Sequence, residues 1–211
     1  MTSWRARRVE IDPLDAASRE SLQRVAARTG ALHQSADLVV TGFGTARTID
    51  LDQGLGGDGT AATVADALAA IALDGDSGPG GSGVLAMAAL PFDPAAACSL
   101  VVPSLVAAWH PDGGPAWVTS VVRASESPDP FDALSAVVAG DQSRAPSGSR
   151  NAVESSAERP SAAAYEAAVR ACVDELRRGT LEKVVLGRAR VGTCRHPIDP
   201  AVLAAALHAN D

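Results

Sequence analysis

Residues 181–188 read Leu181-Glu182-Lys183-Val184-Val185-Leu186-Gly187-Arg188, and the rest of the chain is best interpreted outward from this stretch. Successive side chains of a strand point to opposite faces, so Lys183 would share a face with Val185 and Gly187. Apolar residues fall on both faces, which is typical of a central strand that is covered on two sides. The pattern therefore predicts a strand from Glu182 to Val191 that carries a partly buried lysine.

Lys183 is the residue of this stretch that could carry chemistry. Burial disfavours the charged form of a lysine and lowers its pKa, as a lysine general base requires. Gly187, on the same face, leaves open space of the kind in which a ligand approaches the backbone. The alternative is that Lys183 lies near the strand end and extends its amine into water. Spacing alone favours this alternative over catalysis.

The residues around this strand predict helices on both sides and a loop further upstream. Ser161 can cap a helix that runs to Arg178 and ends at Gly179. A second helix is predicted from Asp199 to Ala209. Gly140 to Pro160 is rich in serine, arginine, glycine and proline, which predicts an exposed loop or linker.

The first 139 residues predict a mixture of helices and short strands. The helices are Pro13 to Gly30, Thr60 to Leu73 and Pro130 to Val138. The strands are Asp37 to Val40, Thr45 to Leu51, Val84 to Leu90, Ser99 to Val102 and Trp117 to Val122. These elements do not alternate regularly, so an α+β fold is favoured over a doubly wound sheet. The predicted organisation is an α+β region at 1–139, a linker at 140–160 and the start of another domain at 161–211.

Composition limits the classes of function. The 211 residues are 46% hydrophobic, which is enough for a core, and their net charge of -7 argues against nucleic-acid binding. Cys98, Cys172 and Cys194 form no CxxC pair, so neither a disulfide framework nor a zinc site is indicated. No secretory signal and no apolar run of membrane-spanning length is present. The sequence predicts a soluble, cytoplasmic protein with no membrane partner.

Two local patterns resemble known motifs without matching them. Gly42-Phe43-Gly44 follows a predicted strand, but Arg47 stands where a dinucleotide fingerprint needs its third glycine, and a strand follows instead of a helix. A tight turn between strands is therefore predicted. Ser82 lies among glycines without the GxSxG pattern, which favours a flexible loop. The four histidines show no ligand spacing.

Several segments together resemble the isochorismate synthases, a branch of the chorismate-utilising enzymes. The opening of that family's chorismate-binding domain is similar to Tyr165, Val169, Gly179 and the Leu-x-Lys-Val-Val-Leu-x-Arg stretch at 181–188. Upstream, residues 38–46 resemble the family's Gly-Phe-Gly-x-Ala turn. Ala89 to Asp93 resembles its Gly-Ala-Leu-Pro-Phe-Asp segment, with Ala88 in place of the glycine, and Val101-Val102-Pro103 also matches.

The resemblance implies a fold, a reaction and a role for one residue. It implies the antiparallel-sheet-rich α+β fold of these enzymes, chorismate as substrate and Mg²⁺ as cofactor. Lys183 would be the general base that activates water for attack at C2 of chorismate, while a glutamic acid protonates the departing C4 hydroxyl. The anthranilate branch generally lacks this lysine, so Lys183 favours a water-using enzyme, either isochorismate synthase or salicylate synthase. The upstream match favours isochorismate synthase and leaves salicylate synthase as the alternative. The product could feed either menaquinone or siderophore synthesis.

The resemblance covers only the first part of the family's sequence. The general-acid glutamate, the magnesium ligands and the later substrate contacts have no counterpart here, and neither Glu182 nor Asp199 matches them. We therefore expect this truncated chain to be inactive by itself. A non-catalytic remnant, such as a folding or interaction module, is the alternative of a different class.

Overall fold

The computed structural model describes residues 3–142 and 153–208. The chain divides into two compact units: a first unit of Met1–Pro146 with Pro200–Asp211, and a second unit of Ser147–Asp199. The first unit holds β1 (Trp4–Ile11), α1 (Ala16–Thr29), β2 (Ala31–Gln34), β3 (Val39–Phe43), β4 (Arg47–Leu51), α2 (Thr60–Ala69), β5 (Ile71–Gly75), β6 (Cys98–Val102), β7 (Leu105–Trp109), β8 (Ala116–Arg123), α3 (Pro130–Gln142) and α5 (Pro200–His208). The second holds β9 (Val153–Arg159), α4 (Ala162–Arg177) and β10 (Ala189–Cys194).

Six strands of the first unit form one sheet in the order β2-β3-β7-β8-β1-β5. All pairs are antiparallel except the parallel pair of β1 and β5. Every residue of β3 and β7 is buried, as are the first six of β8. The sheet therefore has its centre at strands that are apolar on both faces, as expected for strands covered on two sides.

Helices α1 and α3 cover one face of this sheet. Leu22 and Ala26 of α1 are completely buried and pack with Phe43, Val118 and other residues of the sheet. Asp15 caps α1 by accepting a hydrogen bond from the Ser18 amide at 2.7 Å. The predicted helix from Pro13 to Gly30 is confirmed in all but its first residues. Helix α5 also belongs to this unit, where it packs against α1.

The other face is covered by a two-stranded sheet of β4 and β6, by helix α2 and by residues 84–87. The prediction of a strand from Val84 to Leu90 is wrong. The only bridge that this segment makes among the described residues joins Met87 to Val101. Leu85 and Met87 instead pack against Val106 on the face of the sheet. The side chains of this segment are therefore apolar because they cover the sheet, and not because the segment is a paired strand.

The predicted turn at Gly42-Phe43-Gly44 is confirmed only at Gly44, because Gly42 and Phe43 belong to β3 and the chain bends after them towards β4. Gly44 has φ of +63°, and a Cβ atom there would lie 2.3 Å from the Ser104 Oγ. A Cβ atom on Gly42 would lie 2.7 Å from the Pro103 Cγ. Both glycines are thus explained by a left-handed turn and a close approach of chain segments, without a bound dinucleotide.

The helix predicted from Thr60 to Leu73 ends earlier than expected. Helix α2 stops at Ala69, and β5 begins at Ile71, where it pairs in parallel with β1. Alanine and leucine favour a helix, but Ile71 is a buried residue of the sheet, and this tertiary contact outweighs local propensity. Strand β1 itself, the neighbour of both β5 and β8, was not predicted.

The second unit confirms one predicted helix and corrects a predicted loop. Ser161 caps α4 by accepting a hydrogen bond from the Ala164 amide at 3.3 Å, and Gly179 follows the helix end with φ of +75°. Residues 143–152 lie outside the described part of the predicted Gly140–Pro160 loop. The remainder of that loop contains the last three residues of α3, from Gly140 to Gln142, and strand β9, which pairs antiparallel with β10. The loop prediction is wrong there because the polar side chains of an exposed strand resemble those of a loop.

The elements together form a mixed α+β, sheet-rich fold, as predicted. The predicted division at 139 and 160 stays a prediction.

Candidate functional site

Lys183 lies in the second unit and is exposed. Residues 183–188 are neither helix nor strand, and regular pairing begins only at Ala189. The prediction of a strand from Glu182 to Val191, with Lys183 partly buried in it, is therefore wrong for its first half. Among the described residues, Lys183 makes no hydrogen bond and no ion pair.

The reason lies in the neighbouring strand. In the β9–β10 register Ala189 faces Arg159, so residues 183–188 would need a partner that continues beyond Arg159. Pro160 follows, which has no N–H to donate, and Ser161 already caps α4. The partner strand thus turns away into a helix at the point where residues 183–188 would require it.

The β9–β10 pair carries charged side chains across its ladder. Arg188 pairs with Glu158, and Arg195 donates to Glu154 at 2.7 Å. Arg190 donates to the Ser156 Oγ at 3.1 Å. Exposed pairs of this kind contribute little to stability. Within this run Arg188 and Arg190 lie on one face, and Ala189, Val191 and Thr193 lie on the other.

The second unit has no core among its described residues. None of residues 153–199 is buried. Large apolar side chains are exposed instead, with fractions of 60% at Val153, 37% at Val173, 41% at Leu181, 82% at Val185, 50% at Val191 and 54% at Ile198. The apolar stripe of α4, which includes Tyr165 and Leu176, is only partly covered. The described strands and helix of the second unit therefore enclose no apolar core of their own.

A magnesium site is not formed by the residues described. No group of three or more histidine, cysteine, aspartate or glutamate side chains lies close enough to hold a metal in residues 3–142 and 153–208. Glu182 and Asp199 join no such group. The donor set of the described chain therefore does not fit the cation that the family resemblance implies.

A cavity of about 940 Å³ lies in the first unit, whereas Lys183 belongs to the second. Strands β2, β3 and β6 and residues 80–89 form its walls, which include Leu38, Val40, Met87 and Val101. No lysine or arginine lines it. A dianion such as chorismate would meet no positive charge there, so this apolar cavity is not an evident site for it. Sequence reasoning did not identify it, because its walls come from segments far apart in the chain.

No helix in the described part of the chain is long and apolar enough to cross a membrane.

Comparison with known proteins finds a likeness in structure. No family model matches the sequence, and no curated protein matches it. The solved structure of the menaquinone-specific isochorismate synthase from Escherichia coli is similar to this chain, with a TM-score of 0.51 and 16% sequence identity. The match covers 99% of this chain and 46% of that one, so the chain spans less than half of its neighbour's length. At this identity the likeness shows the fold: the chain has the sheet-rich α+β fold of part of a chorismate-utilising enzyme.

Proposed function

We propose that this chain is part of a cytoplasmic enzyme that converts chorismate to isochorismate. The observation that carries the proposal is the identity of residue 183. Lys183 is the only lysine among the 18 lysine and arginine residues of the chain. A chain that otherwise uses arginine for every such cation has lysine at the one position where the family resemblance places a general base.

The chemical difference between the two cations gives this observation its meaning. An arginine side chain stays protonated in proteins, whereas a lysine can release its proton when it is buried. A residue that must accept a proton from water can therefore be lysine and cannot be arginine. A purely structural cation at this exposed position could be either.

Lys183 would take one proton from the water that attacks C2 of chorismate. The hydroxide that departs from C4 must receive a proton from an acid on the opposite side. The described residues supply no candidate for that acid, and they do not fit the implied magnesium, so no step is derived through a metal. The residues that the structure describes likewise do not supply the burial that the base requires.

A complementation experiment tests the proposal. The part of the Escherichia coli enzyme that this chain does not match would be produced separately and mixed with the chain, chorismate and Mg²⁺. We expect isochorismate from the mixture and none from either part alone.

Two substitutions then test the residue. Lys183→Gln and Lys183→Arg should each lower kcat by roughly a hundredfold or more, the usual contribution of a general base. Arg195→Gln, which changes another exposed cation of the same unit, should leave kcat near that of the parent. Recovery of activity by Lys183→Arg would assign the residue a charge-binding role and remove it as the base.

A non-catalytic interaction module is the second candidate. The exposed position of Lys183 and the absence of buried residues in the described second unit favour it. Failure of the mixture to produce isochorismate, with both parts folded and bound, would support this candidate instead.

A further inference from the structure

We propose that the cavity of about 940 Å³ in the first unit is a binding site for an uncharged, mostly apolar small molecule. Its volume falls within the range of about 300–1,000 Å³ that small-molecule sites usually occupy. This site does not depend on the proposed function, because chorismate is a dianion and no cationic side chain of the described residues lines the cavity.

The wall of the cavity is almost free of charge. No aspartate, glutamate, lysine or arginine of the described chain lines it, although these four residue types make up 20% of the sequence. His33 is the one titratable side chain in the described wall. Burying an ionic group without a partner costs far more free energy than burying an apolar group. The wall therefore selects against charged molecules and favours an uncharged ligand.

Apolar side chains on the face of the central sheet supply the binding surface. Leu38 and Val40 line the cavity from the strand side, and Leu85 and Met87 line it from the segment that covers the sheet. Leu38, Leu85 and Met87 are only half-buried, so apolar surface remains accessible to a ligand. Apolar surface that a ligand removes from water contributes about 25 cal/mol per Å². An apolar ligand therefore gains free energy from this wall.

Two hydroxyl groups in the wall already have partners within the chain. The Ser99 Oγ donates a hydrogen bond to the Asp50 Oδ1 at 2.6 Å, and the Ser35 Oγ donates to the Leu38 carbonyl oxygen at 3.1 Å. A buried polar group is costly only when it is left without a hydrogen bond. An apolar ligand can therefore cover both hydroxyl groups without leaving either of them unpaired.

Hydrogen bonds hold the wall in place. Met87 and Val101, which both line the cavity, exchange two backbone hydrogen bonds of 2.8 Å and 2.9 Å. The glycines at positions 80 and 81 form part of the wall, and the next residue, Ser82, fixes the end of their loop. The Thr119 Oγ1 donates to the Ser82 carbonyl oxygen at 2.7 Å. A wall that is already ordered lowers the entropic cost of binding.

Two fluorescent probes that differ in one charged group test the selectivity. N-phenyl-1-naphthylamine is uncharged, and 1-anilinonaphthalene-8-sulfonate has the same rings with an added sulfonate. We expect one molecule of the uncharged probe to bind per chain, roughly tenfold or more tightly than the sulfonate, because the sulfonate would be buried without a cation. Chorismate should not displace the probe. Equal affinities for the two probes, or displacement by chorismate, would overturn the proposal.

Methionine provides a reporter inside the cavity. The chain contains two methionines, Met1 and Met87, and Met87 lines the cavity. A sample labelled with carbon-13 at the methionine methyl groups therefore gives two signals, of which that of Met1 is the internal reference. The uncharged probe should shift the Met87 signal in proportion to its binding. Saturable binding that leaves the Met87 signal unchanged would place the probe elsewhere and contradict the proposal.

A matched pair of variants locates the probe by charge. Ala88 lines the cavity and Ala97 does not, and both are exposed, so arginine at either position should leave the unfolding midpoint unchanged. Ala88→Arg places a cation in the wall. It should weaken binding of the uncharged probe and strengthen binding of the sulfonate, each by about tenfold, so that the preference is reversed.

Ala97→Arg adds the same charge to the chain outside the wall and should leave both affinities as they are in the parent. Equal effects of the two substitutions would show that the probes respond to net charge alone, and the cavity would then not be their site. Binding that neither substitution changes would overturn the proposal in the same way.

Discussion

Asp141 is a buried carboxylate that joins α3 to α1. It accepts hydrogen bonds from the Ser21 Oγ at 2.9 Å and the Arg24 Nη2 at 2.8 Å, and the Arg28 Nη1 lies 3.5 Å away. Its side chain is 6% exposed, whereas that of Arg24 is 35% exposed. A carboxylate in this setting holds two helices in register as long as it keeps its charge and its partners.

We expect Asp141→Asn to lower the free energy of unfolding by roughly 1–3 kcal/mol, the usual contribution of hydrogen bonds to a charged group. The lower part of that range is expected because solvent screens the half-exposed Arg24. Urea denaturation measures the change. Glu20→Gln removes a 72% exposed partner of the same arginine and should cost less than about 1 kcal/mol. Equal losses in the two variants would contradict the assignment.

The same carboxylate predicts a dependence of stability on pH. Burial raises the pKa of Asp141, but the hydrogen bonds from Arg24 and Ser21 and the charges of Arg24 and Arg28 lower it more, so the net pKa lies below the ordinary value. A depressed folded-state pKa contributes stability above the unfolded value of about 3.9, and this stability is lost as pH falls through the folded value. Unfolding midpoints measured between pH 7 and pH 3 should fall, and should fall less in Asp141→Asn.

At the scale of elements, the packing of β2 and β3 against α1 depends on glycine. A Cβ atom on Gly30 would lie 2.1 Å from the Gly42 carbonyl oxygen, which is backbone and cannot move independently. At Gly140, within α3, no atom of the described residues outside its own helix turn and chain neighbours lies within 4 Å of such an atom. The backbone of another segment thus blocks a Cβ atom at Gly30, whereas the position at Gly140 is open.

Alanine substitution should therefore have opposite effects at these positions. Gly30→Ala is expected to lower the free energy of unfolding by about 1–3 kcal/mol, because the strand or the helix end must shift. Gly140→Ala should raise it by roughly 0.5–1 kcal/mol, because alanine loses less conformational freedom in a helix. Thermal or urea denaturation of the two variants tests the pair, and the same sign for both would show that the close approach at Gly30 is not maintained.

At the scale of the whole molecule, the two units differ in how much they bury. The first unit has apolar clusters on both faces of its central sheet. The described residues of the second unit include no buried side chain. Local opening costs little free energy where few apolar contacts and few protected hydrogen bonds must be broken.

The rates of amide hydrogen exchange in the chain alone should therefore differ strongly between the two units. We expect the amides of β7 and β8 to exchange most slowly and those of β9, α4 and β10 to exchange close to the rates of an unfolded chain. Limited proteolysis should cut between residues 153 and 199 before it cuts between 98 and 123. Slow exchange in β10 would show that the second unit is stable by itself and would contradict this expectation.

Much of the secondary structure could be predicted because its signals are local. Ser161 and Gly179 delimit α4 by capping and a left-handed end, and the apolar runs at Ser99 and Trp117 correspond to strands β6 and β8. The predicted base could likewise be chosen from local sequence, since the prediction depends only on Lys183 and on the neighbouring residues of its motif. No finding tests its catalytic role, which remains a prediction.

Pairing and burial could not be predicted, because they depend on residues far away in the chain. Ile71 is a strand residue because β1 lies beside it, and Val84 to Leu90 is not a strand because it lies on the face of a sheet. Residues 183–188 show the same limit most clearly. Their apolar alternation indicates a central strand, but a strand needs a neighbour to accept its hydrogen bonds, and β9 ends at Arg159. The sequence by itself determined that Lys183 stands in an apolar run that resembles a strand. Only the tertiary structure decided that Lys183 is exposed, because among the described residues no strand pairs with residues 183–188 and no apolar layer buries them.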